Sequence, residues 1–435
     1  MLKSISLRSG HLLAISILGT GLAFMAQIIV ARVLGVDAYG YFAYVMALVS
    51  VLVFFSQMGF DYLFIRFVPA YTDTGSSERL ALFFVTGFVA VLMTSVIFSA
   101  GTGSFYFFLQ KGDWSPQFFD TLMVGLLIVP ILSLVYLMQA AMVGAQKQAL
   151  AKTLTEIFRP ILFLAVVGTA YALNLSFSAV EFMALNLGIV GILFVVCVLV
   201  FRRLLSVSYK KHFKFDKQKV REWAKIAIPL LVFSIPTALI LQIDTLMLGA
   251  ILGPEQSGMY WAVTKVASFV AFPLYAANTV IAPMIAKSHA RGETFVNIMR
   301  ASTTVSFVLC VIAIAGLAIF GEWLLGLFGK QFIASAPALY VLCGGYAVAT
   351  ALGPVDYALT MTGHERFSAY VTGAGLLLCI VLNAILIPDY QAMGAAFSTA
   401  ISLVLIRIVL MLGVWRYHGI LYMFEIVKTP IDKGI

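Results

Sequence analysis

Ala31-Arg32-Val33-Leu34-Gly35-Val36-Asp37-Ala38-Tyr39-Gly40-Tyr41-Phe42-Ala43 is a short, partly polar turn between two apolar runs, Leu12–Ala31 and Ala38–Phe60. Each run has the ~20 mainly apolar residues that a helix needs to cross the hydrocarbon of a bilayer. Working outward, charge-poor runs of similar length recur at Leu80–Ala100, Thr121–Gly144, Pro160–Leu175, Phe182–Phe201, Ile226–Leu252, Ser257–Ile285, Ala301–Phe320, Ser335–Thr362, Phe367–Pro388 and Met393–Val414. The pattern predicts twelve spans, with the third ending near Gly101-Thr102-Gly103, where glycine punctuates the run. Composition agrees: 62% of the 435 residues are hydrophobic and 11% charged, against about 25% charged in an ordinary globular chain, and mean hydropathy is +1.02. A water-soluble fold is excluded, because the polar surface is too small to cover a core. Lys3 and Arg8 precede the first run as the basic region of a secretory signal would. The run is too long for such a signal, and no small-x-small cleavage site closes it, so it is read as a retained span.

The net charge of +9 reports orientation in such a chain and does not imply nucleic acid. Of the 28 basic residues, those at 3, 8, 66, 79, 147, 152, 159, 202–225, 287, 291, 300, 366, 416, 428 and 433 fall in one set of alternate connections. The other set holds only Arg32, Lys111 and Lys330, and Lys265 and Arg407 lie inside spans. Basic loops stay cytoplasmic, so both termini are expected there. The nine-base stretch 202–225 divides the chain into an N-lobe (1–201), a cytoplasmic linker (202–225), a C-lobe (226–415) and a cytoplasmic tail (416–435).

An internal echo supports the halving. Leu252-Gly253-Pro254-Glu255-Gln256-Ser257-Gly258-Met259-Tyr260 repeats the Leu-Gly, acid, Gly and aromatic of Leu34–Phe42 at an offset of 218, and Gly363-His364-Glu365-Arg366 repeats Gly144-Ala145-Gln146-Lys147 at 219. Six spans per half is an even number, so the halves insert in the same direction. The predicted fold is all-α and integral to the membrane: twelve transmembrane helices in two parallel-repeat six-helix lobes around a central cavity. Such lobes suit alternating access, and so a transporter. An enzyme is not expected, because the outer connections are short and His11, His212, His289, His364 and His418 stand in no metal or nucleophile spacing. Cys197, Cys310, Cys343 and Cys379 lie inside apolar runs and read as small core hydrophobes, and no cofactor or metal is expected.

The Ala31–Ala43 turn resembles the Ala-Arg-x-Leu-Gly-x-x-x-Tyr-Gly-x-Phe-Ala signature of bacterial polysaccharide transporters, the O-antigen-type flippases of the multidrug/oligosaccharidyl-lipid/polysaccharide exporter superfamily. Gly59, the exit Arg66-Phe67-Val68-Pro69, and Leu386-Ile387-Pro388-Asp389-Tyr390 with Gly394-Ala395-Ala396 resemble the same family. Gln391-Ala392-Met393 departs from it, since a glycine often follows the aromatic there. The resemblance implies an undecaprenyl-pyrophosphate-linked oligosaccharide moved from the cytoplasmic to the periplasmic leaflet for surface polysaccharide synthesis. It also implies contact with membrane lipid and a place in a bacterial inner membrane, and leaves open whether protons, sodium or nothing drives transport and whether a polysaccharide polymerase stands beside the protein. The runner-up is an ion-coupled multidrug or organic-cation exporter of the same superfamily.

Moving a pyrophosphate and sugars through lipid calls for a hydrated cavity that is cationic somewhere. Charges inside spans are the first candidates, because each would cost on the order of 2.5–3.5 kcal/mol facing lipid at the bilayer centre. Asp244 and Lys265 lie at matching depth, each roughly 12 Å from the outer helix end by helical rise. Two readings stay open: Lys265 as a phosphate contact with Asp244 as a coupling carboxylate, or a salt bridge stitching two helices. Asp356 and Arg407 pose the same choice nearer the cytoplasmic side. Arg32 and Arg66 either join the substrate-binding set with Lys265 and Arg407 or snorkel to lipid phosphate, and Asp61, like Asp244 and Asp356, is either a coupling carboxylate or an ion-pair partner, in its case of Arg66. Pro130, Pro236, Pro273 and Pro354 are expected to kink their spans. Phe105–Phe108 and Trp114 read as an interfacial aromatic belt.

Overall fold

A computed structural model describes residues 2–73, 77–109, 115–173, 175, 177–204, 216–421 and 426–427. Lys111, Trp114, Lys210, Lys211, His212, Lys214, Lys428 and Lys433, and the side chains of Lys3 and Arg8, lie outside the described residues. Helices dominate: α1 (Leu2–Ser56), α2 (Phe60–Asp73), α3 (Ser77–Leu109), α4 (Pro116–Gly144), α5 (Gln148–Lys152), α6 (Arg159–Ala172), α7 (Ala179–Leu204) and α8 (Lys217–Leu239). They continue as α9 (Ile243–Leu252), α10 (Pro254–Ala290), α11 (Val296–Phe328), α12 (Ala336–Ala351), α13 (Val355–Met361) and α14 (Glu365–His418). A π-helical segment, Thr153–Phe158, joins α5 to α6, and a 3-10 turn, Lys330–Ser335, precedes α12. The described strands are an antiparallel pair of two-residue segments, Ile420–Leu421 and Ile426–Val427. Helices suit this chain because each satisfies its own backbone hydrogen bonds where no water is present.

Eight of the described helical stretches are long and apolar enough to cross a membrane, which makes the chain a multi-pass membrane protein. Two of them, Ala14–Ser56 and Glu365–His418, hold 43 and 54 residues, about twice the length one crossing needs. Both are broken near the middle, at Gly35 (φ 74, ψ 178) and Gln391 (φ 50, ψ −128). The expected first and second runs fall on the two arms of α1, and the eleventh and twelfth on those of α14. Gly253, the echo of Gly35, adopts nearly the same backbone (φ 97, ψ 172), a conformation that L side chains disfavour. The second echo aligns differently in space. Lys147 N–H bonds Met142 O at 2.9 Å and His364 N–H bonds Leu359 O at 2.8 Å, closing two helices with a left-handed residue at Gln146 and Gly363. That pairing shifts the match by two residues from the alignment on Gly144.

The break at Gln391 places a side-chain-bearing residue where glycine is at ease, at about 1–3 kcal/mol of strain. Gly394 makes the reversal possible: a Cβ there would stand 2.3 Å from Leu386 O.

The described chain divides into two compact units, Met1–Ala238 and Leu239–Ile435. In the first, Phe60, Phe64, Phe83 and Phe84 form a buried aromatic core. Trp223 of α8 completes it, 4.8 Å from Phe83 between ring centroids, with its indole N–H donated to Tyr71 Oη at 3.1 Å. The second centres on Ile285, Met299, Val355, Leu359, Leu410 and Val414.

Three expectations about helix ends are corrected or refined. α3 runs through Gly101 and Gly103 to Leu109, because packing holds the extra turns: Ser99 Oγ donates to Leu126 O at 3.1 Å and the Tyr44 and Tyr106 hydroxyls meet at 2.7 Å. The seventh run breaks at 240–242, just beyond Pro236, and the tenth at Gly353-Pro354. Pro130 and Pro273, by contrast, lie inside unbroken helices.

Candidate functional site

Asp244 occupies the first turn of α9, immediately after the break that follows Pro236. It is 6% exposed, and four side chains converge on its carboxylate. Tyr260 Oη of α10 donates to Oδ2 at 2.9 Å and Asn383 Nδ2 of α14 donates to Oδ1 at 2.7 Å. Thr399 Oγ1, beyond the break in α14, donates to Oδ2, and Cys379 Sγ donates to Oδ1 at 3.5 Å. Every donor is neutral. Asn383 Oδ1, also buried, has no hydrogen-bond partner among the described residues. The result is a buried cluster of oxygens carrying one formal negative charge. Such a group calls for a proton or a small cation, since an isolated buried carboxylate is strongly disfavoured.

Lys265 is not that cation: no ion pair joins it to Asp244 among the described residues, and its Nζ lies 3.9 Å from the centroid of the Trp261 ring. Depth placed the two charges together, but azimuth separates them. Tyr260 of α10 faces Asp244, and Lys265, five residues later, lies roughly 140° around the helix.

Asp356 and Arg407 do meet. Arg407 Nη1 donates to Asp356 Oδ1 at 2.6 Å, with side-chain exposures of 10% and 30%. Both belong to the second unit, on α13 and α14. In the first unit, Asp61 is half-buried in the first turn of α2, and Arg66 is exposed with its guanidinium carbon 5.4 Å from the Phe67 ring centroid. No ion pair joins them among the described residues; five residues apart on one helix, they project in different directions. Arg32 is exposed on α1, three residues before the break at Gly35.

Two polar clusters escaped the sequence reading. Where the π-helical segment crosses α1, Ser16 Oγ donates to Glu156 Oε2 at 2.9 Å and accepts from Lys152 Nζ at 2.8 Å, while Lys152 and Glu156 pair at 3.3 Å. In the second unit three of the five histidines, far apart in sequence, gather at helix ends. The His418 ring centroid is 5.8 Å from that of His289 and 5.3 Å from that of His364, and Thr362 Oγ1 shares a 2.8 Å hydrogen bond with His418 Nε2. Among the described residues, no group of three or more His, Cys, Asp or Glu could hold a metal ion.

The family described as "Polysaccharide biosynthesis protein" matches residues 6–289. A probable low-salt glycan biosynthesis flippase, Agl15, of Haloferax volcanii is 23% identical over 201 residues, covering 46% of this chain and 42% of that protein's length. An uncharacterized membrane protein, MJ1068, of Methanocaldococcus jannaschii is 21% identical across 91% of this chain and 81% of its own. Among solved structures, an inward-facing multidrug-resistance MATE family transporter of the MOP superfamily aligns with a TM-score of 0.70 at 11% identity, over 91% of this chain and 94% of its own. The lipid II flippase MurJ, in an inward closed conformation, aligns at 0.67 and 15% identity, over 93% and 87%. At these identities the two structures establish likeness of fold.

Proposed function

The chain belongs to the polysaccharide biosynthesis protein family, and from that premise we propose that it is a flippase for lipid-linked glycan. The observation that carries the reading is the family match across 6–289, and the likeness in fold to a lipid II flippase supports it. In finer terms, the substrate is an undecaprenyl-pyrophosphate-linked oligosaccharide, moved from the cytoplasmic to the periplasmic leaflet of the inner membrane for surface polysaccharide such as O-antigen. Twelve spans in two six-span lobes, with 202–225 between them and both termini cytoplasmic, would carry it by alternating access. A polysaccharide polymerase would draw on the product.

Asp244 is proposed as the coupling carboxylate. Its four neutral donors and lack of a cationic partner among the described residues support a role in which a proton or sodium ion arrives and leaves. Asp356 is proposed to set Arg407 in place, and Arg32, Arg66 and Lys265 to contribute positive charge to the path of the pyrophosphate. Asp61 is proposed as a second carboxylate accessible to the coupling ion.

Deleting the gene in its host and extracting polyprenyl-linked sugars tests the reading. Accumulation of complete oligosaccharide-lipid, with surface polymer lost, is expected. Intact surface polymer with new sensitivity to cationic drugs overturns it in favour of a multidrug exporter.

A further inference from the structure

Near the break in α14, the start of α10 and the 3-10 turn before α12 border a half-open cavity of about 250 Å³ within the second unit. Gln256 and Met259 come from α10, Ser335 and Pro337 from the turn and the start of α12, and Tyr390 and Gln391 from the break itself. No charged residue lines it. The side chains of Gln256, Ser335 and Gln391 make no hydrogen bond among the described residues, although Ser335 is 6% exposed. Tyr390 is 58% exposed.

Gln391 is the unusual element. Its φ of 50 with ψ of −128 is a conformation glycine adopts freely and a side-chain-bearing residue adopts under strain, and strain of that kind concentrates at ligand sites. Glycine would relieve it, yet the chain places an amide there, at the wall of a cavity with a second amide and a tyrosine. Two planar amides and a hydroxyl supply paired donors and acceptors. A tyrosine adds an apolar face with a polar edge. Such a set matches a polyhydroxylated ring, whose equatorial hydroxyls take amide hydrogen bonds and whose C–H face covers an aromatic. The volume lies below the roughly 300–1,000 Å³ of sites for drug-sized ligands, so it suits one ring and not a chain. Absence of charge at the wall disfavours the pyrophosphate.

We infer that this cavity is a binding subsite for a single uncharged pyranose unit of the transported glycan, with Tyr390 as the stacking platform and the Gln391 amide as a specificity contact. The inference rests on the glycan-flippase reading.

The test uses the full chain in nanodiscs with methyl glycosides of glucose, galactose and N-acetylglucosamine, read by saturation-transfer NMR. At least one glycoside should give saturation transfer, reduced threefold or more in both Tyr390→Ala and Gln391→Gly. Tyr370→Ala, a tyrosine on α14 that is 71% exposed, should leave the signal unchanged. Gln391→Gly should also leave Tm unchanged or raise it by about 1–2 °C, since the strain lost outweighs the freedom that a glycine adds to the unfolded chain, separating lost recognition from lost folding. No transfer from any glycoside, or a signal that either variant leaves intact, overturns the inference. Glycan-lipid that still accumulates on gene deletion while no glycoside binds overturns the subsite alone. Glycoside bound by a protein whose deletion leaves glycan-lipid and polymer unchanged overturns the transport reading and, with it, the assignment of the bound ring to a transported glycan.

Discussion

Asp244 combines burial, a formal charge and four neutral donors at one atom pair. Asn at this position would set an amide N–H₂ against the donors of Tyr260, Asn383 or Thr399, which leaves at least one buried group unpaired, at about 1–3 kcal/mol. Asp244→Asn is therefore expected to lower Tm while the protein still reaches the membrane, and to reduce glycan-lipid transport in reconstituted vesicles more than tenfold. Normal transport by a folded variant would reduce Asp244 to a structural role. Arg407→Ala tests the neighbouring pair. It strands the Asp356 carboxylate, which accepts a 2.6 Å bond from Arg407, and should destabilise by about 1.5–3 kcal/mol, the range for hydrogen bonds to charged groups. Adding Asp356→Ala should recover part of that loss in a thermal melt. Asp244, Asp356 and Arg407 were legible in the sequence because a charge in an apolar run is conspicuous. Tyr260, Cys379, Asn383 and Thr399 were not, because polar residues are common in spans. The one local signal was the four-residue spacing of Cys379 and Asn383, which puts both on one helix face.

Breaks in the elements matter more than the helices they interrupt. α1 and α14 each break at one residue, Gly35 and Gln391, and in α14 Gly394 lies so near Leu386 that a Cβ would not fit. Gly394→Ala should shift the arms apart and destabilise by about 1–3 kcal/mol, as overpacking does. A drop in Tm with loss of monodisperse protein on gel filtration is the expected outcome, and an unchanged melt would show that the turn adapts. Span lengths were readable from apolar runs because lipid imposes a minimum length. α3 continues past Gly101-Thr102-Gly103 to Leu109, since packing can hold a helix through glycine, and here Ser99 and Tyr106 are held by Leu126 and Tyr44. The π-helical segment at 153–158 leaves no local trace, because its register is decided by what Ser16 and Gln139 offer to Glu156 and Thr155.

For the whole molecule, orientation is the sharpest open prediction. All four native cysteines are buried and unpaired, so a single introduced thiol would be labelled over a low background. Lys330→Cys should react with an impermeant maleimide added outside cells and Arg416→Cys only after permeabilisation; the reverse pattern would invert the proposed topology. What composition and run length determined was that this chain is helical, membrane-embedded and several times spanning, because lipid leaves the backbone few alternatives. The turn at Ala31–Ala43 carried a resemblance to the family that the match over 6–289 shows. What only the tertiary structure decided was which charges meet. Position along a helix follows from counting residues at about 1.5 Å each, but direction around it turns roughly 100° per residue. Only packing determines which face a neighbour presents, and so Asp244 meets Tyr260, Asn383 and Thr399 while Lys265, at the same depth, rests on Trp261.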